Sequence, residues 1–417
     1  MKKELFDTNN IILPNGINLI SIKRDTQIAA VHIGIKVGSL YEKKNEKGIS
    51  HFIEHMLFKG TKSRNNEKLN SDLEERGGEY NAYTDFNSTV YSITALSEEI
   101  EVSVELLGDM IMNSTFPEKE IERERGVILA EIRTSKDDVE DFSFRKIHEA
   151  AFKKSPLRYD TIGEEKTVKK FSRQELIDFY SQYYVPNNCV ISIVSPFEHE
   201  YISEIVLRYF EGWKSKELYN SAFIIEDNIP IKKTTYKKEI EQSTIIYAYT
   251  FHNINKEEEL ALKILNHKLG ESANSVLFRE LREERGLAYD VYSQLDTSKY
   301  VKTLYIYTAV SFDNIDETLD IIDKCIQRIK TSDIRFDDGT ISLMKKVLKT
   351  AVASTMEDST DLGNYVLHQA IDDESIYEFE NDMKNLENIS KDDIYMIANK
   401  VLNEPTIHIL LSEKVEN

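Results

Sequence analysis

Apolar residues first recur along the chain in short runs that predict β-strands. The turn-forming segment Pro14-Asn15-Gly16 separates apolar runs at residues 11–13 and 17–22, which predicts a β-hairpin. Residues 28–37 are almost continuously apolar, which indicates a mostly buried strand.

Longer segments follow in which the apolar period changes to that of helices. Residues 79–90 and 91–95 are rich in Thr, Tyr and Val and predict further strands. A capping box of Ser172 and Glu175 begins a helix that ends near Tyr184. The other predicted helices lie at 48–58, 66–76, 98–112, 118–136 and 139–153, and a strand is predicted at 189–194.

The second half of the chain repeats this plan. The helix end Glu74-Glu75-Arg76-Gly77 recurs as Glu283-Glu284-Arg285-Gly286. The other correspondences are residues 98–112 with 314–329, Ser172 with Ser390, and 185–195 with 402–412. Recurrence over half a chain indicates a duplicated structural unit.

The duplication predicts an α+β fold of two homologous domains. Each domain is expected to hold a mostly antiparallel sheet with helices packed mainly on one face. The predicted domains are 1–213 and 237–417. The polar stretch 214–236, which contains Pro230, is the predicted linker.

Composition and charge exclude several classes of function. The 41% apolar content is ample for large cores, and the net charge of −20 disfavours nucleic acid and anionic membranes as partners. Cys189 and Cys325 provide neither a disulfide framework nor a thiolate metal site. No apolar run is long enough to span a membrane, and residues 1–7 contain no signal-peptide core, so the expected location is the cytoplasm.

The predicted helix at 48–58 carries a metal-binding pattern. His51 and His55 are four residues apart and share a helical face with Glu54. Two imidazoles at this spacing can bind one Zn²⁺, and the neighbouring carboxylate can act on a water molecule. The order H-x-x-E-H is the inverzincin signature. The flanking residues are apolar, and buried polar groups need a strong partner, which favours a metal. The corresponding positions in the second half fall near Leu260, Lys263 and Ile264, so we expect only the first half to bind zinc.

A catalytic zinc site needs a third protein ligand. The predicted helix 118–136 supplies two candidates, Glu124 and Glu131, which lie on one face two turns apart. Apolar residues surround Glu131, which favours a buried carboxylate with a partner. Spacing alone leaves the ligand role open between the two.

At this point the chain resembles a known family. The run 48–61, followed by Gly77-Gly78-Glu79-Tyr80-Asn81-Ala82-Tyr83-Thr84, is similar to the pitrilysin/insulysin zinc peptidases, closest to the mitochondrial processing peptidases and their bacterial relatives. The resemblance implies that Glu131 is the third ligand to a single Zn²⁺ per chain. It also implies that Glu124 supports the site without binding the ion itself.

The resemblance also implies residues that act on the substrate. Asn81 and Ala82 would lie on an edge strand to which a peptide adds as an extra strand. Residues 277–289 resemble the family's Arg–Tyr element, so Arg282 and Tyr289 would reach the zinc site from the second domain.

The activity implied is zinc-dependent endopeptidase hydrolysis of peptides or unfolded protein segments in a closed chamber. Glu54 would be the general base, Tyr289 would stabilise the oxyanion, and Arg282 would bind the substrate backbone. Because one chain carries both the zinc motif and the Arg–Tyr element, the expected assembly is a homodimer. The alternatives are a non-catalytic scaffold, which would have damaged metal positions, and a peptide-binding protein with structural zinc, which would have a fourth protein ligand.

Overall fold

The computed structural model describes residues 6–218 and 223–412 and divides into two compact units. Residues 1–5 and part of the predicted linker lie outside the described residues. The first unit comprises Met1–Arg133, Asp160–Phe223 and Ala353–Glu378, and the second comprises Thr134–Tyr159, Ile224–Val352 and Phe379–Asn417. Each unit thus takes a segment from the other half of the chain, whereas the predicted domains were continuous ranges.

The first unit contains a six-stranded sheet in the order β1-β2-β6-β3-β5-β4. Its pairs are antiparallel except β2 with β6, which are parallel. The strands are β1 (Asp7–Ile12), β2 (Asn18–Lys23), β3 (Ile28–Ile35), β4 (Glu79–Thr84), β5 (Thr89–Leu96) and β6 (Cys189–Ser195).

The second unit contains a five-stranded sheet in the order β7-β11-β8-β10-β9. Only β7 and β11 pair in parallel. The strands are β7 (Lys232–Lys237), β8 (Ser243–Thr250), β9 (Ala288–Asp296), β10 (Thr303–Val310) and β11 (Thr406–Ser412). The prediction of two mostly antiparallel sheets is confirmed.

The helices flank these two sheets. They are α1 (Ile49–Leu57), α2 (Asn66–Glu74), α3 (Ile100–Asn113), α4 (Glu118–Asp137), α5 (Val139–Ala151), α6 (Glu165–Val168), α7 (Arg173–Tyr183), α8 (His199–Phe210), α9 (Lys256–Asn266), α10 (Ile315–Lys330), α11 (Asp338–Glu357), α12 (Ser359–Ile371), α13 (Glu378–Asn388) and α14 (Lys391–Val401). The predicted capping box at Ser172 is present, and the box at Ser390 is its counterpart in the repeat.

Most helices of each unit cover one face of its sheet, and a helix from the other half of the chain covers the second face. In the first unit, Leu362, Val366 and Leu367 of α12 pack against Val190 and other buried residues of the sheet. In the second unit, α5 packs in the same way against β8 and β11. An apolar sheet face must be buried, so these helices complete the two cores.

One turn lies where the sequence predicted it, and a second lies at a different position. β1 and β2 form the predicted hairpin, with Gly16 N donating to the Leu13 carbonyl. The strand break predicted after Val90 lies instead at residues 85–88. There the Asp85 carboxylate accepts from the backbone N–H groups of Asn87 and Ser88 and thereby replaces sheet pairing with a turn.

Cys189 and Cys325 are buried free cysteines, and each packs in the hydrophobic core of its unit. Within residues 6–218 and 223–412, no helix has the length and apolar character needed to cross a membrane.

Candidate active site

The helix α1 is the centre of the site, and its start is built without a side-chain cap of its own. Gly48 precedes the helix at φ +94°, and a Cβ there would lie 2.8 Å from the carbonyl oxygen of Ile162. The buried Glu42 carboxylate replaces the missing cap by accepting from Gly48 N and Ser50 N, each at 2.9 Å. These bonds satisfy N–H groups that a helix start leaves unpaired.

The buried carboxyl group of Glu42 should make the free energy of unfolding depend on pH. Burial raises its pKa to about 7, against the lowering effects of Lys47 and the two N–H donors. A raised folded-state pKa means that Glu42 loses its proton at lower pH in the unfolded chain than in the folded one. The folded state is therefore penalised progressively as pH rises from about 4.5 to about 7.

We expect the difference in unfolding free energy, wild type minus Glu42→Gln, to fall by about 2 kcal/mol between about pH 5.5 and about pH 8. Urea unfolding of both metal-free proteins at the two pH values measures it. A difference that does not change with pH would show that Glu42 does not titrate in this window.

The apolar side of α1 is fully buried and orients the polar side. Phe52, Ile53, Met56 and Leu57 have no exposed surface. This packing places His51, Glu54 and His55 together on the opposite side, with potential ligand atoms within 4.8 Å of one another. They are the one group of three metal-ligating side chains of this kind among the described residues.

Two glutamates of α4 approach the histidines on different sides. Glu131 Oε2 lies 4.0 Å from His51 Nε2 and 3.6 Å from His55 Nε2. Glu124 instead lies behind His55, with Oε2 3.1 Å from Nδ1. Glu131 is therefore placed to share an ion with both Nε2 atoms, and Glu124 to orient one ring.

The geometry and donor types fit zinc. Ligand atoms about 2.0–2.2 Å from a tetrahedral ion lie roughly 3.3–3.6 Å apart, close to the separations of Glu131 from the two rings. Two imidazole nitrogens and one carboxylate oxygen are a common ligand set of catalytic zinc. Glu54, in the same cluster, is a second carboxylate near the site.

The electrostatic setting differs between the two rings. Burial, and then the neighbouring His55, lowers the pKa of His51 to about 3. Burial also acts to lower the pKa of His55, but the bond to Glu124 and the charges of Glu131 and Glu54 reverse the effect and raise it. Glu124, Glu131 and Glu54 therefore all stabilise positive charge at His55, as an ion would require.

Glu54 is held by a residue that the sequence did not single out. Thr84, the last residue of β4, donates its hydroxyl to Glu54 Oε2 at 2.7 Å. Burial raises the pKa of Glu54, and the charge of Glu131 acts in the same direction, while Thr84 and His55 oppose them. A raised pKa moves the carboxyl group toward the range in which it can exchange a proton near neutral pH.

β4 is the outermost strand of the first sheet and pairs with β5 on one side. Both predicted substrate-contact residues lie on it. The Asn81 side chain accepts from Ala82 N at 2.9 Å, so it covers a backbone donor at this edge.

Arg282 and Tyr289 belong to the second unit. Arg282 lies in a π-helical turn, Phe278–Glu283, with its guanidinium 5.1 Å from the Phe278 ring centre and 5.9 Å from that of Tyr289. Tyr289, near the start of β9, is 73% exposed. The two side chains therefore lie next to each other, with the tyrosine open to solvent.

Sequence reasoning missed Lys59, Thr84 and Glu42. Lys59 follows His55 by four residues, and its ammonium lies 2.9 Å from Glu124 Oε1. That four-residue spacing could have indicated that His55 and Lys59 contact the same residue. Thr84 and Glu42 act across separate elements, and no local pattern marks them.

Comparisons with known proteins identify the family of this chain. Residues 19–165 match the family model described as insulinase (peptidase family M16), and residues 170–346 match the model described as peptidase M16 inactive domain. A Rickettsia felis protein described as an uncharacterized zinc protease is 30% identical over 421 residues, with 98% of each chain covered. The chain belongs to peptidase family M16.

Two other similarities also extend over most of the chain. The beta subunit of the mitochondrial-processing peptidase of Caenorhabditis elegans is 26% identical over 387 residues, covering 88% of this chain and 82% of that protein. The crystal structure of a Helicobacter pylori protease has a TM-score of 0.89 at 20% identity, covering 97% of this chain and 99% of that one. The latter similarity establishes a shared fold.

The description of the second M16 model as an inactive domain fits the sequence of the repeat. Leu260, Lys263 and Ile264, near the positions that correspond to the zinc motif, cannot reproduce its ligand set. The family is one of zinc proteases, and its metal chemistry is expected in the first half of the chain.

Proposed function

We propose that this M16 protein is a zinc-dependent endopeptidase that hydrolyses peptides or unfolded protein segments. The observation that carries the proposal is the position of Glu131 Oε2, within 4.0 Å of both His51 Nε2 and His55 Nε2, with Glu54 beside them. This arrangement combines a three-ligand zinc site with a separate carboxylate.

His51, His55 and Glu131 would hold one Zn²⁺ per chain. The ion, when bound, supplies Lewis-acid activation of water and of a peptide carbonyl. Glu124 would support the site by accepting a hydrogen bond from His55 Nδ1–H, because that tautomer leaves the lone pair on Nε2 free to bind the ion.

Glu54 is the proposed general base. Its carboxylate takes a proton from the attacking water, retains it while the new C–O bond forms, and delivers it to the nitrogen of the departing amine. The hydrogen bond from Thr84 fixes the carboxylate rotamer during this transfer. Burial of Glu54 excludes bulk water that would compete for the proton.

The substrate is proposed to bind as an extended strand along β4. An unpaired strand edge offers backbone donors and acceptors in a regular row, so recognition is largely independent of side chains. Asn81 and Ala82 would contribute these contacts once the Asn81 side chain turns away from Ala82 N. Tyr289 would donate its hydroxyl to the developing oxyanion, and Arg282 would donate to substrate carbonyl groups.

The proposed assembly is a homodimer that encloses a chamber. Support comes from the sequence, because one chain supplies both the zinc motif and the Arg–Tyr element. A closed chamber would restrict substrates to flexible chains and exclude folded proteins.

A peptide-cleavage assay tests this function. Purified protein is incubated with a mixed library of peptides, with a chelator, and with chelator followed by excess zinc, and products are identified by mass spectrometry. We expect internal cleavage that the chelator abolishes and zinc restores. Zinc binding without cleavage would favour the peptide-binding alternative, and absence of both zinc binding and cleavage would favour the scaffold.

A further inference from the structure

On the Nδ1 side of His55, away from the proposed metal-binding nitrogen, three side chains form a series of polar contacts. The ammonium of Lys59 lies 2.9 Å from Glu124 Oε1, and Glu124 Oε2 lies 3.1 Å from His55 Nδ1. Lys59 follows the end of α1, whereas Glu124 projects from α4. The contact therefore joins the two elements that provide all the proposed ligands.

Glu124 needs both contacts because it is buried. Its side chain is only 4% exposed, and a buried carboxylate costs several kcal/mol unless its oxygens are paired. Among the described residues, His55 occupies one oxygen and Lys59 the other. Without Lys59, Oε1 would lie unpaired in a low-polarity environment, and the carboxylate would gain by turning toward water.

Rotation of Glu124 would act directly on one ligand. A neutral imidazole has one nitrogen that donates and one that accepts, and the partner of the first selects the tautomer. An acceptor at Nδ1 keeps the lone pair of His55 on Nε2, the atom that faces Glu131. His51 Nδ1 is buried and has no hydrogen-bond partner in the described part of the chain, so this control is confined to His55.

We propose that Lys59 is a positioning residue for the zinc site. Its ammonium holds Glu124 in the rotamer that accepts from His55 Nδ1–H, and it thereby presents His55 Nε2 to the ion. The inference rests on the proposed function, since it needs zinc on His55. The proposal goes beyond that function by assigning a role to Lys59, which is neither a proposed metal ligand nor a proposed substrate contact.

Zinc affinity of the full-length protein tests the role. Affinity is measured by competition with a chromophoric chelator, and thermal unfolding of the metal-free proteins is recorded in parallel. Loss of the group that orients a metal ligand typically costs 10–100-fold in affinity, so we expect Lys59→Met to weaken zinc binding by up to about that factor if it releases Glu124 from His55. Lys59→Arg, which keeps the positive donor, should restore most of it.

Lys62→Met is the matched control. Lys62 is an exposed lysine three positions along the same loop, and its ammonium makes no hydrogen bond or ion pair with any described residue. We expect wild-type zinc affinity in this variant. If Lys59→Met lowers only the melting temperature and leaves zinc affinity unchanged, the pair is a fold-stabilising contact and the proposal is wrong.

A double-mutant cycle tests whether Lys59 acts through Glu124. With Glu124→Ala already present, Lys59→Met should weaken zinc binding no further, because the side chain through which Lys59 acts on His55 is gone. Additive losses would overturn the proposal. If Lys59→Met does not fold, Lys59→Gln, which keeps a donor but not the charge, replaces it in the cycle.

The wild-type titration separates this proposal from the function on which it rests. If wild-type protein binds no zinc, the proposed metallopeptidase itself fails. If wild type and Lys59→Met bind zinc equally well, the zinc site stands and only the role of Lys59 fails.

Discussion

Replacement of Glu54 by glutamine is expected to lower peptide hydrolysis by about 10³-fold or more while zinc remains bound. The amide has nearly the same shape as the carboxylate, and its oxygen can still accept the hydrogen bond from Thr84. It cannot take a proton from water, and general base catalysis contributes roughly 10²–10⁴-fold to such reactions. The measurements are kcat/KM on an internally quenched peptide and the zinc content of the purified variant.

The control for this variant is Glu67→Gln, a change of the same kind at an exposed position of α2. It should leave both turnover and zinc unchanged. The two readouts also separate the two possible roles of Glu54. Lost turnover with retained zinc supports a base, whereas loss of zinc would show that Glu54 is needed to bind the metal. Turnover near the wild-type rate would refute both roles.

Sequence reasoning was most successful where local spacing determines geometry. The spacing of His51, Glu54 and His55 and the apolar residues between them predicted a helix with one buried side and one polar side, which the structure shows. The capping boxes at Ser172 and Ser390 could be predicted for the same reason, since each involves residues three positions apart.

Features that depend on distant residues could not be obtained in this way. The separation of Glu131 and Glu124 onto the Nε2 and Nδ1 sides of His55 depends on how α4 packs beside α1, and spacing alone left the choice open. The packing of α12 on the first sheet and α5 on the second is likewise a tertiary choice. Both helices have amphipathic sequences that fit many partners, so their periodicity does not specify which sheet they cover.

The second large prediction concerns Glu131→Ala and follows from the assignment of Glu131 as a zinc ligand. A protein site binds zinc with an apparent free energy of about 10–16 kcal/mol, and one of three ligands supplies roughly a third of it. Loss of about 4 kcal/mol corresponds to roughly 10³-fold weaker binding. We therefore expect the variant to lose zinc and peptidase activity during purification, and to bind zinc again only at about 10³-fold higher free zinc than the wild type needs.

Substitutions of two other glutamates of α4 test whether the large loss of zinc affinity is specific to Glu131. Glu118→Ala, in the exposed first turn of the same helix, should keep wild-type zinc affinity, because its side chain lies outside the cluster. Glu124→Gln should lose only about 10–100-fold, because it replaces the charged group that orients His55 with a neutral amide and removes no ligand. Equilibrium competition for zinc ranks the three variants. If Glu124→Gln binds zinc more weakly than Glu131→Ala, the two roles are reversed, because the larger loss belongs to the residue that contacts the ion.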